Sequence, residues 1–262
     1  MSLTGKTKAS TYKDILQMDN SNSGIDATTR AVKDGEGTES ALHLSDDQVA
    51  ITPKDSDGTA ILKVTNKSGT AILTVDSTNS LVKANNTSVN TQIQRFTLNS
   101  NGGFPTTTNW TAMHPIGNSR YFSEFDGGTG STPSTTVTVD GSTNLASELV
   151  QIIWYVPFNI TIDSCNVWFG ADANSGDVVQ FSVMSYTIDS SNGSTGGDLS
   201  SGVENCVSPS TITGAGDEQA YYQALTISTA DVDAGKVLTA WVKQDGTNSD
   251  LMVNMQLIYH IR

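Results

Sequence analysis

The chain has 262 residues and a formal net charge of -13, with 27 acidic against 14 basic side chains. From Leu145 onward, 13 acidic residues accompany only three basic ones, which are Lys236, Lys243 and Arg262. Nucleic acids and anionic membrane surfaces are bound by clustered Lys and Arg, so this composition excludes both as partners of the C-terminal half.

Only 16% of the residues are charged, and Ser, Thr, Asn and Gly dominate long stretches between regularly spaced apolar residues. This texture is typical of many short strands joined by tight turns, and it predicts an all-β protein. Two cysteines, Cys165 and Cys206, are too few for a disulfide framework or a metal cluster, so we expect buried free thiols. The first 14 residues lack the apolar stretch of a signal peptide, and no apolar run reaches the length of a membrane span.

Residues 1–38 are polar and punctuated by glycines, and their only apolar cluster consists of Tyr12, Ile15, Leu16 and Met18. So few apolar side chains cannot form a core. We therefore predict an extended arm that folds against another molecule, with these four residues as anchor candidates.

A short unit occurs twice between Gly58 and Asp76, as GTAILKV from Gly58 and as GTAILTV from Gly69. Side chains alternate along a strand, so each copy places Ala, Leu and Val on one face: Ala60, Leu62, Val64, Ala71, Leu73 and Val75. Strands this short cannot bury an apolar face alone. We predict that residues 39–95 form a shaft in which these six side chains meet their copies on a three-fold axis.

The strongest strand patterns lie in the predicted third segment, residues 96–262. They are separated by turn-rich stretches and predict an antiparallel β-sandwich of the jelly-roll type. The clearest cover Leu149–Val156, Ile160–Phe169, Val178–Ile188, Tyr221–Ser228, Val237–Lys243 and Leu251–Ile261.

Catalytic motifs are absent from the sequence. The three histidines lie far apart at positions 43, 114 and 260, and there is neither a Gly-x-Ser-x-Gly nor a His-Glu-x-x-His motif. The glycine-rich stretch from Gly127 to Gly130 lacks the Lys-Ser/Thr ending of a phosphate-binding loop. The acidic stretches Asp55–Asp57 and Asp245–Asp250 lack the distal Glu of a calcium loop. We predict a protein that is not an enzyme and that needs no metal or cofactor.

Aromatic residues give the candidates for ligand binding. Trp154, Tyr155 and Trp168 lie in apolar strands, which predicts that they belong to the core. Four others lie in or beside polar loops, where they could stack on sugar rings, pack against a protein partner or anchor the loops onto the sandwich: Trp110, Tyr121, Tyr221 and Tyr222.

Several segments resemble fibre proteins of tailed bacteriophages, notably marine ones. Thr11–Gly24 (TYKDILQMDNSNSG) and Val32–Gly37 (VKDGEG) are similar to their virion-attachment ends, and the repeats are similar to their shafts. Leu149–Pro157 (LVQIIWYVP) resembles the start of their C-terminal head. The resemblance implies a homotrimeric appendage with an N-terminal anchor and a β-rich knob.

Together, the residues and the resemblance predict a structural protein on the outside of a phage particle, a trimeric tail fibre or spike. Its arm would contact other virion proteins, and its head would attach to a glycan or protein of the host surface. A head fibre or capsid-decorating protein stays open as an alternative. A polysaccharide-cleaving spike is a further alternative, but the chain is short for a long β-helix and shows no sign of a cleft with paired carboxylates.

Overall fold

A computed structural model describes residues 13, 15–21, 23–99, 109–115, 125–172, 178–208, 212–213, 218–244 and 251–262. These residues form antiparallel β-structure with one short helix, which confirms the predicted all-β class. The chain divides into two compact units, residues 1–89 and residues 90–262. Within the described residues, no helix is long and apolar enough to cross a membrane.

The first unit contains two four-stranded sheets whose strands follow one another in chain order. The first sheet consists of β1 (Gln17–Met18), β2 (Arg30–Lys33), β3 (Glu39–Leu44) and β4 (Val49–Ile51). The second sheet consists of β5 (Leu62–Thr65), β6 (Ala71–Asp76), β7 (Leu81–Ala84) and β8 (Thr87–Ser88). The predicted boundary between residues 38 and 39 therefore falls inside the first sheet, because β2, from the predicted arm, pairs with β3.

Apolar burial in this first unit is sparse. Among its described residues, Ala31, Val32 and Leu81 are the only apolar side chains buried in the single chain. The Asp76 carboxylate is also buried, and it accepts hydrogen bonds from the backbone and side chain of Asn79 and from Lys83. The bonds from Asn79 lower the pKa of Asp76. Polar contacts, more than apolar packing, thus stabilise the hairpin that β6 and β7 form.

The second unit is a sandwich of two antiparallel sheets. Its strands are β9 (Thr91–Asn99), β10 (Thr111–Ala112), β11 (Trp154–Tyr155), β12 (Ile160–Asp172), β13 (Val178–Ile188), β14 (Leu199–Val207), β15 (Ile212–Thr213), β16 (Glu218–Ala224), β17 (Thr226–Ile227), β18 (Asp231–Val232), β19 (Val237–Gln244) and β20 (Met252–Ile261). The inner sheet has the order β10-β19-β13-β14-β17, with β11 beside β19 and β15 beside β13. The outer sheet has the order β16-β12-β20-β9, with β18 beside β12.

Two hydrophobic cores lie on the two faces of the inner sheet. One core fills the space between the sheets and includes Phe181 and Ala240 of the inner sheet and Val167 of the outer sheet. The other core contains Trp241 from the opposite face, packed with Ile152 and with residues of the preceding loops. Because both faces are covered, nearly every residue of β19 is buried.

The segment Leu149–Val156 was predicted as one strand, and this is wrong. Helix α1 (Ala146–Ile152) occupies its first part, and β11 is only two residues long. Leu149 and Ile152 lie three positions apart, which places both on the buried face of the helix, whereas Val150 is exposed. The Glu148 carboxylate accepts a hydrogen bond from the backbone N–H of Leu145, which supports the start of the helix.

Strand β9 begins at Thr91 and pairs along its length with β20. The predicted start of the head at residue 96 therefore lies inside a strand, and the division between the two compact units falls between Val89 and Asn90. The repeat also differs locally from the prediction, because Ala60 lies in a turn before β5 and not in the strand itself.

The two cysteines meet where the chain crosses from the outer to the inner sheet. The backbone N–H of Leu225 donates to the carbonyl of Cys165 in β12, and two residues later Ile227 pairs with Cys206 in β14. Both thiols are free, as expected, and both are buried in the core between the sheets.

We expect both thiols to be unreactive in the folded protein. Hydrogen bonding with the Cys206 thiol, followed by burial, raises the pKa of Cys165 well above its ordinary value. An aromatic disulfide reagent at about pH 8 should therefore modify the thiols only after denaturation, since the thiolate is the reacting form. The folded state keeps a Cys165 proton that the unfolded chain loses, so Cys165 should also lower the thermal midpoint as pH rises above about 8.5. Rapid modification of the native protein would contradict the expectation.

Candidate functional site

The outward face of β12 carries polar and aromatic side chains, because a bulge shifts the alternation of the strand. The register with β20 changes between Ile162 and Ser164. After the bulge, Cys165, Val167 and Phe169 point into the core. Asn166 and Trp168 alternate with them and therefore lie on the opposite, solvent side of the sheet.

The neighbouring strands extend these positions into two rows. Trp168 is paired with Tyr222 of β16 on one side and with Asn254 of β20 on the other. In the next row, Asn166 is paired with Gln256 of β20. We call the set Asn166, Trp168, Tyr222, Asn254 and Gln256 the aromatic–amide face.

The two rings at the centre of this face touch each other and remain accessible. Their centroids are 5.1 Å apart and their planes are inclined by 49°. Trp168 is 45% exposed and Tyr222 is 58% exposed. The Tyr222 hydroxyl donates a 2.9 Å hydrogen bond to Oδ1 of Asn166, which fixes the phenol ring and turns the amide nitrogen of Asn166 away from it.

Small residues surround the two rings. Gly170 follows Trp168 by two positions on the same side of β12 and is paired with Ala220, and Asn166 is paired with Ala224. A Cβ atom at Gly170 would meet no atom closer than 4.0 Å, so the space above it is open. The small side chains at Gly170, Ala220 and Ala224 therefore leave the ring surfaces of Trp168 and Tyr222 uncovered next to them.

The face has a rigid support beneath it. Phe169 points inward and stacks on Tyr221, with centroids 4.9 Å apart and an interplanar angle of 17°. Phe169 also contacts Phe181 of the inner sheet at 5.2 Å. Packed side chains under β12 and β16 thus hold the two exposed rings in place without any contribution from a ligand.

The four aromatic residues predicted as candidates for ligand binding lie in different environments. Tyr222 lies on the aromatic–amide face, and Tyr221 packs against the core. Trp110 is buried, and its indole N–H donates a 3.0 Å hydrogen bond to the carbonyl of Gly130, so it anchors a loop. Tyr121 lies outside the described residues.

The prediction that Trp168 belongs to the core is wrong, and Tyr155 is likewise exposed. Strict alternation from Ile160 places Trp168 on the same side as the buried Ile162. The bulge inserts one residue and reverses the side of every position that follows. The residues around Asp163 contain no local signal for the bulge, because the position of a bulge depends on the strand with which the chain pairs.

A second exposed surface lies on the sheet of β5 to β8. Leu62 is paired with Val75, Val64 with Leu73, and Val82 with Val75, which places all five side chains on one face. Leu62 is 40% exposed and Val64 is 45% exposed in the single chain. We call these five residues the apolar face. The register with β5 shifts before Leu73, and the predicted trimer-core candidate Ala71 is paired with Thr65 and not with a residue of this face.

The anchor candidates near the N-terminus are accessible where they are described. Ile15 and Leu16 are exposed, and Met18 is paired with Val32 in the first sheet. Tyr12 lies outside the described residues.

Polar groups with catalytic or metal-binding potential remain scattered. Nδ1 of His260 lies 2.9 Å from a carboxylate oxygen of Asp163, and Nδ1 of His114 lies 3.2 Å from the carbonyl of Gln151. In the described ranges, no three His, Cys, Asp or Glu side chains come together in a way that could hold a metal ion. The acidic stretch 245–250 lies outside those ranges.

Comparison with known proteins gives no relative, since no protein-family model and no curated protein matches this chain.

Truncation of two adjacent residues on β12 should destabilise the fold to very different extents. Phe169→Ala should lower the free energy of unfolding by about 3–5 kcal/mol, because it removes a buried ring. Trp168→Ala should lower it by no more than about 1 kcal/mol, because that side chain is half exposed and contributes mainly its contact with Tyr222. Denaturant unfolding of the two variants measures the difference, and equal losses would show that Trp168 is buried in solution.

Proposed function

We propose that this chain is a non-enzymatic virion protein of a bacteriophage, a homotrimeric tail fibre or spike that attaches the particle to the host surface. The observation that carries the proposal is the contrast between the two units. Residues 90–262 bury 33 apolar side chains among the described residues, whereas residues 1–89 bury three.

A unit with so little apolar burial is not stable by itself, because two small sheets need a shared hydrophobic face to offset chain entropy. The apolar face offers such a surface, with Leu62, Val64 and Val82 partly in water. Covering the exposed part of each side chain would contribute about 1 kcal/mol. Other copies of this chain are suited to cover this surface, because each copy contributes one apolar face of its own.

Three copies around an axis close the assembly, since each apolar face then meets its two equivalents and no further copy can add. Resemblance of the repeats and of Thr11–Gly24 to phage fibre proteins favours this three-fold arrangement. Exposed Ile15 and Leu16 are suited to contact another virion protein at the attachment end.

The trimer would present three copies of the sandwich unit. Several such trimers on one particle turn weak individual contacts into firm adsorption, because each bound unit raises the effective concentration of the others. Attachment, and not chemistry, is thus the proposed role.

An antibody against residues 90–262 would distinguish a tail position from a capsid position on purified particles.

Light scattering coupled to size exclusion tests the assembly. The full chain should elute as a trimer, and Leu62→Asp or Val64→Asp should shift it towards monomer, because a buried carboxylate without a partner is strongly unfavourable. Ile72→Asp is the matched control, since Ile72 is 52% exposed on the opposite face of β6.

A stable monomer of the unaltered chain at micromolar concentration would refute the trimer. Equal dissociation of the Ile72→Asp control would show that the apolar face is not the contact surface.

A further inference from the structure

We infer that the aromatic–amide face binds a neutral pyranose unit of a surface glycan. The inference rests on the proposed attachment function in one respect, because it assigns to that function a ligand class and a position on the outer sheet.

The two central rings have the chemistry for sugar stacking. A pyranose ring presents one side on which C–H groups dominate, and such a surface packs favourably on an aromatic ring. Trp168 and Tyr222 are both about half exposed, and their planes meet at 49°. Together they present an accessible aromatic surface whose size suits a single six-membered ring.

Amide groups border the two rings, where hydroxyl groups of a stacked sugar would lie. Asn254 is paired with Trp168, and Asn166 and Gln256 form the next row. An amide both donates and accepts hydrogen bonds, as a sugar hydroxyl does, so the two groups match in any orientation. Asn166 is already oriented by the Tyr222 hydroxyl, which lowers the entropy lost on binding.

The charges favour a neutral ligand. Among the described residues of these two rows, Arg95, which is paired with Gln256, is the one charged side chain. The chain from Leu145 onward carries 13 acidic against three basic residues. An acidic polysaccharide would be repelled by this excess, whereas a neutral sugar is not affected by it.

The size of the apolar patch argues for a small ligand over a folded protein. Its large apolar side chains are Trp168, Tyr222 and Met252, with the exposed Ile93 one row beyond Arg95. Between and beside them lie polar and small residues: Asn166, Asn254, Gln256, Thr97, Arg95, Gly170, Ala220 and Ala224. Stable protein interfaces bury roughly 1,000 Å² or more in total, with a continuous apolar centre. Large apolar side chains that are separated by polar and small residues do not supply one.

The test uses the full chain and a panel of neutral and acidic bacterial-surface oligosaccharides, on an array and then in solution. Neutral probes should change the fluorescence of Trp168 and should show saturation transfer to the C–H side of one sugar ring. Trp168→Ala and Tyr222→Ala should each weaken binding by about tenfold or more, and Asn254→Ala should weaken it by less. Tyr155→Ala is the matched control, because Tyr155 is an equally exposed aromatic residue on another strand, and it should leave binding unchanged.

Several results would overturn the inference: no binding of any neutral probe at millimolar concentration, binding of acidic probes only, or unchanged binding by Trp168→Ala. Loss of the trimer in Trp168→Ala would also overturn it, since the face would then be a contact between subunits. Light scattering of the same samples separates the two proposals. A trimer that binds no sugar refutes the inference alone, and a monomer that binds sugar through this face refutes the assembly alone.

Discussion

Burial of the inner sheet on both faces is the constraint on which the second unit depends. Its central strands, β13 and β19, send Val183 and Ala240 into the core between the sheets. From the opposite face they send Met184 and Trp241 into the core beneath helix α1 and the preceding loops. In the described part of the chain, apolar side chains thus cover both faces of these strands. The outer sheet has one covered and one open face, and so it is the outer sheet that can present a binding surface.

The core between the two sheets also makes the aromatic–amide face of the outer sheet rigid. Phe169 and Tyr221 fill the space directly under Trp168 and Tyr222, so the exposed rings stand on ordered neighbours. The first unit lacks such a foundation, since Asp76 and its hydrogen bonds occupy part of what would be its interior. A complete core in the second unit and an exposed apolar face in the first fit a protein that assembles through one unit and displays the other.

Much of the fold could be predicted from local pattern. Alternation of Leu, Val and Thr in the repeat placed β5 and β6 within a few residues, and the register sets Leu62, Val64, Leu73 and Val75 on one face. The candidate site was only partly foreseen. Tyr222 was named, but Trp168 was assigned to the core, and its amide neighbours Asn254 and Gln256 come from a strand more than 80 positions away in the chain.

The sequence by itself determined the strand-rich class, the turns and the scarcity of core residues before Val89, because period-two alternation, turn chemistry and composition are local properties. Only the tertiary structure decided which side of each strand faces water. One bulge at Asp163 reverses the side of Trp168, and the continuous apolar run from Leu149 becomes a helix because Leu149 and Ile152 meet the second core on one helical face. Both outcomes depend on partners distant in the chain, and local pattern carries no information about them.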